Sequence, residues 1–106
     1  LKEVRNMLVP CTGLPYKTVP ELFKTGERIW NLTRLFNVRE GFTAREDTLP
    51  ERLLKEPMPE GPAKGQVVEL DQMLKEYYAL RGWDENGVPT REKLEELGLT
   101  KVLELP

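Results

Sequence analysis

Cys11 is the only thiol in the sequence. A thiolate there would serve as a cluster ligand or a redox group. With no histidine or second cysteine nearby, a lone Cys more commonly packs as a small apolar residue; Cys11 is expected partly buried beside a turn. Arg28, Arg34, Arg39, Arg45 and Arg52 have the planar donors to clamp an anionic ligand. They alternate with Glu27, Glu40, Glu46, Asp47 and Glu51, so ion pairs with those acids are the expected outcome. Asp84-x-Asn86-Gly87 has the start of a calcium loop, but Val88 and Pro89 follow where further ligands would be needed. That segment reads as a turn. Tyr77, Tyr78, Trp83 and Trp30 offer flat faces to a cofactor, although aromatics at helical spacing are expected in a core. Carboxylate-only catalysis would fall to Glu46, Asp47 and Glu51, residues that equally suit a helix N-terminus.

The composition narrows these options. The sequence has no histidine, which removes the commonest general base and transition-metal ligand. One cysteine excludes an internal disulfide and any CxxC site, and a reducing, cytoplasmic setting is expected. The 16 basic and 18 acidic residues give a net charge of -2, with the signs interspersed. No basic stripe tracks a phosphate backbone, so no nucleic-acid partner is expected. Hydrophobic residues make up 39% and charged ones 32%, with no apolar run near the ~20 residues of a membrane helix. No signal-peptide pattern is present in the first residues. Leu1 in place of Met hints at a missing upstream portion. The 106 residues form one domain or part of one, long enough to bury roughly 65% of the surface exposed on unfolding.

The elements that would position these side chains are mostly helical. Leu1, Val4 and Leu8 share a face at helical spacing, and Pro10 is expected to stop that helix before a turn over 11–15. Thr18-Val19-Pro20-Glu21 is a capping box with proline in the first turn. It predicts a helix to about residue 37, with Val19, Leu22, Phe23, Gly26, Ile29, Trp30, Thr33 and Phe36 on one stripe. Leu32 and Leu35 widen it, and an apolar surface that broad normally meets protein on more than one side. Gly26 costs about 1 kcal/mol against Ala in a helix, and close approach of another backbone or a bulky side chain is the expected compensation. Thr48-Leu49-Pro50-Glu51 repeats the start signal and predicts a short helix over 49–55 within a loop-rich segment, 41–66, irregular from 57 to 65.

Residues 69–81 read as the second long helix, with Leu70, Met73, Leu74, Tyr77 and Leu80 or Arg81 at i, i+3, i+4, i+7 spacing. An Asp71–Lys75 pair supports it, and Gly82 ends it. Asp84-Glu85-Asn86-Gly87 is a tight turn with positive φ at Gly87 and expected also at Asn86. Thr90 caps a last helix over 91–97, closed by Gly98. Leu99, Val102, Leu103 and Leu105 suit docking as an extended tail. The fold class is therefore mainly α: a small helical bundle with long irregular loops, one domain over 1–106.

Three segments carry a resemblance. Gly26-Glu27-Arg28-Ile29-Trp30-Asn31-Leu32-Thr33-Arg34-Leu35-Phe36-Asn37-Val38-Arg39-Glu40-Gly41-Phe42, then Arg45-Glu46-Asp47-Thr48-Leu49-Pro50-Glu51-Arg52, resemble stretches of the aldehyde:ferredoxin oxidoreductases. So does Tyr77-Tyr78-Ala79-Leu80-Arg81-Gly82-Trp83-Asp84-Glu85-Asn86-Gly87-Val88-Pro89-Thr90, followed by Leu94 to Leu99. The order and spacing are the family's. The resemblance implies a C-terminal fragment, the last part of the third domain, of a much longer enzyme. Such enzymes oxidise aldehydes to carboxylic acids at a tungsten-bis-pterin (molybdopterin-type) centre and pass electrons through one [4Fe-4S] cluster to ferredoxin. The resemblance implies that this chain's partners are the remainder of that oxidoreductase and ferredoxin, with no membrane. The family's D-x-x-G-L-C ligand motif is not matched by Asn6-Met7-Leu8-Val9-Pro10-Cys11. No catalytic, cluster, pterin or metal ligand is therefore assigned to this chain, and the isolated chain is expected to be inactive. Its implied role is to scaffold the cluster loop and substrate channel. A free-standing helical interaction module is the alternative.

Overall fold

A computed structural model of the chain describes residues 1–101. The expectation for Val102, Leu103 and Leu105 lies outside the described residues. Among these, the helices are α1 (Lys2–Thr12), α2 (Val19–Arg39), α3 (Glu51–Lys55), α4 (Leu70–Arg81) and α5 (Arg91–Leu97). The class is mainly α, as expected, and the stretch from α3 to α4 is largely irregular.

Local chemistry accounts for most helix ends. At α2 both halves of the capping box form, Glu21 N–H donating to Thr18 Oγ1 at 3.4 Å and Thr18 N–H to Glu21 Oε2 at 2.9 Å. The hydrogen bond donated by Thr18 N–H holds the Glu21 carboxyl below its ordinary range. Gly82 and Gly98 close α4 and α5 in the left-handed conformation, and Thr90 caps α5 by accepting from Lys93 N–H. Helix α3 starts at Glu51, two residues later than expected, because Pro50 stands at its cap in an extended conformation.

The N-terminal helix departs from expectation. It runs through Pro10 to Thr12, so Cys11 is helical and exposed rather than beside a turn. Proline removes one N–H and its bond to the carbonyl four residues back. Near the helix end that loss is offset by two closing bonds. Thr12 Oγ1 donates to the Leu8 carbonyl at 2.7 Å, and Gly13 N–H to the Val9 carbonyl at 2.9 Å with φ 69° at the glycine.

Helix α2 packs on α1 and α5. The apolar core is small: Leu94, Leu97 and Leu99, with Leu35 of α2 against them. The chain is correspondingly open, with a radius of gyration of 18.0 Å where about 13 Å is usual for this length.

Other expectations are corrected here. Among the described residues, nothing outside the helix's own backbone comes within 4 Å of where a Cβ would stand on Gly26, so none of them supplies the expected close packing. Asn86 does not take positive φ; Gly87 alone does in that turn. Asp71 and Lys75 are absent from the ion pairs, and Gln72 Nε2 instead donates to Glu76 Oε1 along α4. On α4 the buried residue is Tyr78, while Met73 and Leu80 of the predicted stripe are exposed.

Candidate functional site

The densest arrangement of chemically capable side chains lies where α2 meets the 43–48 loop and the turn after α4. Its centre is Arg34, which is buried. Arg34 Nε donates to the Gly87 carbonyl at 2.7 Å, and its two terminal nitrogens grip the Asp47 carboxylate side by side. Tyr78 O–H donates to the same carboxylate. The Trp83 ring lies 5.0 Å from the guanidinium, a cation–π contact in a desolvated setting. One turn earlier on α2, Asn31 is fully buried; it accepts from Trp83 Nε1 at 2.8 Å and donates to the Glu27 carbonyl at 2.9 Å. Every polar atom described in this group has a partner, as burial demands.

Gly87 is what admits the arginine. Its φ of 72° is one that side-chain-bearing residues avoid, and a Cβ there would sit 2.4 Å from Arg34 Nη2 and 2.9 Å from Tyr78 Cζ. The turn is shaped by Asp84, whose side chain accepts from Asn86 N–H at 2.8 Å and Val88 N–H at 2.9 Å. Those bonds use the carboxylate as a turn former, so the residues with a calcium-loop look perform turn chemistry.

Electrostatics follow from this geometry. Burial opposes charge on Asp47, but hydrogen bonds from Arg34 and Tyr78 and the adjacent guanidinium outweigh it and hold the carboxyl below its ordinary range. Burial and the hydrogen bond to Asp47 push the Tyr78 phenol up to about 12. Such a phenol is a donor held in place, not a proton shuttle near neutral pH. A second link joins α2 to α5: Lys93 Nζ bridges Glu27 Oε2 at 3.1 Å and Glu96 Oε2 at 3.2 Å, and Arg28 Nε donates to the Leu97 carbonyl at 3.0 Å.

A cavity of about 280 Å³ lies beside the cluster, lined in part by Trp30, Thr33, Asn37, Leu74 and Tyr77. Its charged groups, Arg34 and Asp47, already satisfy one another, so it presents a locked joint more than a receptor.

The remaining sequence candidates are scattered. Arg39 pairs with Glu40 and Arg52 with Glu56, both exposed, while Arg28 uses the α5 carbonyl described above. The expected ion pairing is thus realised in buried form by Arg34 and Asp47. Glu46 caps the Thr43 N–H and hydroxyl at 2.6 and 2.8 Å, and Glu51 pairs with Lys55. The carboxylate trio therefore makes no common site. Tyr78 and Trp83 are core, as expected, whereas Trp30 is half exposed with its Nε1 donating to Tyr77 Oη at 2.8 Å under the Arg81 guanidinium. The reading from sequence missed Asn31. A signal for it existed: Glu27, Asn31 and Arg34 fall at i, i+4, i+7, a polar stripe opposite the apolar one.

Residues 1–99 match the family model described as "Aldehyde ferredoxin oxidoreductase, domains 2 & 3". The chain belongs to the aldehyde ferredoxin oxidoreductase family. It is 53% identical over 102 residues to the tungsten-containing aldehyde ferredoxin oxidoreductase of Pyrococcus abyssi (strain GE5 / Orsay), covering 95% of this chain and 17% of that protein. The counterpart in Thermococcus kodakarensis (strain ATCC BAA-918 / JCM 12380 / KOD1) is 52% identical over 102 residues, again with 95% and 17% covered. A more distant relative is the WOR-like subunit of an aliphatic sulfonate oxidoreductase from Pyrococcus furiosus (strain ATCC 43587 / DSM 3638 / JCM 8422 / Vc1). It is 35% identical over 94 residues, 79% of this chain and 15% of that protein. The chain thus spans about 17% of the length of its tungsten-containing relatives. Arg34, Asp47, Tyr78, Trp83 and Gly87 all lie within the matched residues, so the buried joint is built inside a segment of this oxidoreductase family. Among the described residues, no helix is long and apolar enough to cross a membrane.

Proposed function

We propose that this chain is the C-terminal helical part, a single domain over 1–106 with an irregular segment at 41–66, of a cytoplasmic aldehyde:ferredoxin oxidoreductase. The observation that carries the reading is the 53% identity, across nearly the whole chain, to a tungsten-containing enzyme about six times longer. In the whole protein, a tungsten-bis-pterin centre supplies the two-electron oxidation of aldehyde to carboxylic acid, with a [4Fe-4S] cluster relaying electrons to ferredoxin.

Among the described residues, the donors of this chain do not fit a metal ion or an iron-sulfur cluster. Cys11 stands exposed on α1, and no three His, Cys, Asp or Glu side chains converge among the described residues. No step of the reaction is therefore routed through these side chains. What the chain contributes is placement. The Arg34–Asp47–Tyr78 joint fixes the 43–48 loop and the 83–89 turn against α2, and such rigidity supports the cluster loop and substrate channel. Small displacements of positioned groups carry large rate penalties.

Purifying the whole protein anaerobically from its native source tests the reading. The expected result is a species several times heavier than 12.3 kDa, holding tungsten and iron and reducing ferredoxin with aldehyde. A 12.3 kDa species without that activity overturns it in favour of a free-standing module.

A further inference from the structure

Helix α2 is built inside out. Successive residues are about 100° apart around a helix, which places Glu27, Asn31 and Arg34 on the side that meets α5 and the 83–89 turn. The opposite arc runs from Leu32 through Phe36, Ile29 and Gly26 to Trp30, and not one Lys, Arg, Asp or Glu falls on it. In an ordinary surface helix the charges face water and the apolar stripe faces the core. Here Ile29 is 62% and Phe36 54% exposed, while Asn31 is 0% exposed.

The surface does not stop at α2. Trp30 Nε1 donates to Tyr77 Oη on α4, and Met73 and Leu80 stand at i-4 and i+3 from Tyr77 on the same α4 face. Leu80 is 84% exposed. Gly26 leaves an open notch within the arc, with no atom of the described residues beyond its own helix backbone within 4 Å of its Cβ position. The Arg81 guanidinium lies over the Trp30 and Tyr77 rings and that of Arg39 over Phe36, so charge borders this surface. Ile29, Leu32, Met73 and Leu80 nonetheless stay exposed around it, and so many large apolar side chains in the open mark a protein interface rather than a wetted face.

We propose that the outer face of α2, continued across Trp30 and Tyr77 onto α4, is the seat of the remaining part of the same polypeptide. The occupant follows from length. Relatives 53% identical to this chain extend far beyond it, the match covering only 17% of the protein. A helix that buries Asn31 and Arg34 while leaving Ile29 and Phe36 exposed needs cover that the same folding event supplies. This rests on the reading of the chain as part of a longer oxidoreductase.

Hydroxyl-radical footprinting of the purified whole protein, read by mass spectrometry, tests the seat. Ile29, Trp30 and Phe36 should be oxidised roughly tenfold more slowly than in the urea-unfolded protein, at every protein concentration, because burial confers protection. Rates close to the unfolded values would overturn the proposal. Protection that disappears on dilution would reassign the face to a second copy, and protection that appears only with added phosphatidylcholine vesicles would reassign it to a lipid surface. Either result overturns the intramolecular seat. Ile29→Asp gives the second readout: in the whole protein it should lower the melting temperature and expose Trp30, whereas an unchanged melting temperature and footprint overturn the seat. Aldehyde oxidation is assayed on the same sample. Protection without activity sinks the enzymatic reading and keeps the seat; activity with an unprotected face does the reverse.

Discussion

The stretch from Tyr78 to Leu99 and the helix α1 are both helical and both rich in aliphatic side chains, yet they end in opposite environments. In the first, Tyr78, Trp83, Leu94, Leu97 and Leu99 are all buried. In α1, as in α3, no residue is buried, and Met7 and Val4 face outward. Hydrophobicity alone does not separate them. What separates them is whether a partner surface exists within the chain. The 78–99 stretch folds back on α2 through Trp83 to Asn31, Gly87 to Arg34 and Lys93 to Glu27. Apart from Arg5, which donates to the Lys17 carbonyl, the described bonds of α1 are local. A segment can thus carry a good helical pattern and still depend on surfaces beyond itself.

The comparison is tested most strongly by truncation within each region. Leu94→Ala should cost about 3 kcal/mol of local stability, from lost transfer energy and the cavity left behind. Met7→Ala should stay within about 0.5 kcal/mol in the chain by itself. Native-state hydrogen exchange of the α5 and α1 amides reports both, and equal effects would break the contrast.

Asp47→Asn ranks next. It leaves the Arg34 charge buried with a neutral partner, at a cost of about 2 kcal/mol. That lies below the range for wholly buried pairs, because the Asp47 side chain is 25% exposed. Faster exchange of the 83–89 amides in the variant is the check.

Two glycines of the same stretch sharpen the comparison further. Gly87 and Gly98 both have positive φ, but only Gly87 has side chains pressed against its Cβ position. Gly98→Ala should cost about 1 kcal/mol from backbone strain alone. Gly87→Ala should cost about 2 kcal/mol, strain plus displacement of Arg34. Equal melting shifts for the two variants would show that the arginine moves aside freely.

The smallest effect concerns pH. Tyr78 has its phenol raised from 10.0 to about 12, so its stabilising contribution is complete below pH 10 and is lost as pH rises towards 12. Ultraviolet titration should show a tyrosine ionisation step at about pH 12. Asp47, with its carboxyl lowered, contributes stability above the unfolded value that is lost as pH falls below it. A Tyr78→Phe variant that loses the step near pH 12 completes the test; a variant that keeps it would assign that step to another group.

Much of this was legible in the residues themselves. Threonine caps, glycine stops and the Asp84 turn are local: each is decided by a few neighbouring backbone groups, so Thr18, Thr90, Gly82 and Gly98 announced their helices correctly. The course of α1 through Pro10 was less legible, because proline's penalty near a helix end is offset by bonds from Thr12 and Gly13 whose sum no single residue displays. The open space at Gly26 was hidden for a different reason: a glycine in a helix shows that there is room for a close approach, not what makes it.

The sequence by itself determined which segments are helical, where those closed by Gly82 and Gly98 stop, and, through the order of its three motifs, the family. Only the tertiary structure decided which side of α2 is inside. Helical periodicity sorts side chains into stripes but is blind to direction. The choice of the polar stripe came from long-range partners, Trp83 for Asn31 and Asp47 with the Gly87 carbonyl for Arg34, whose hydrogen bonds satisfy buried polar atoms that water would otherwise hold.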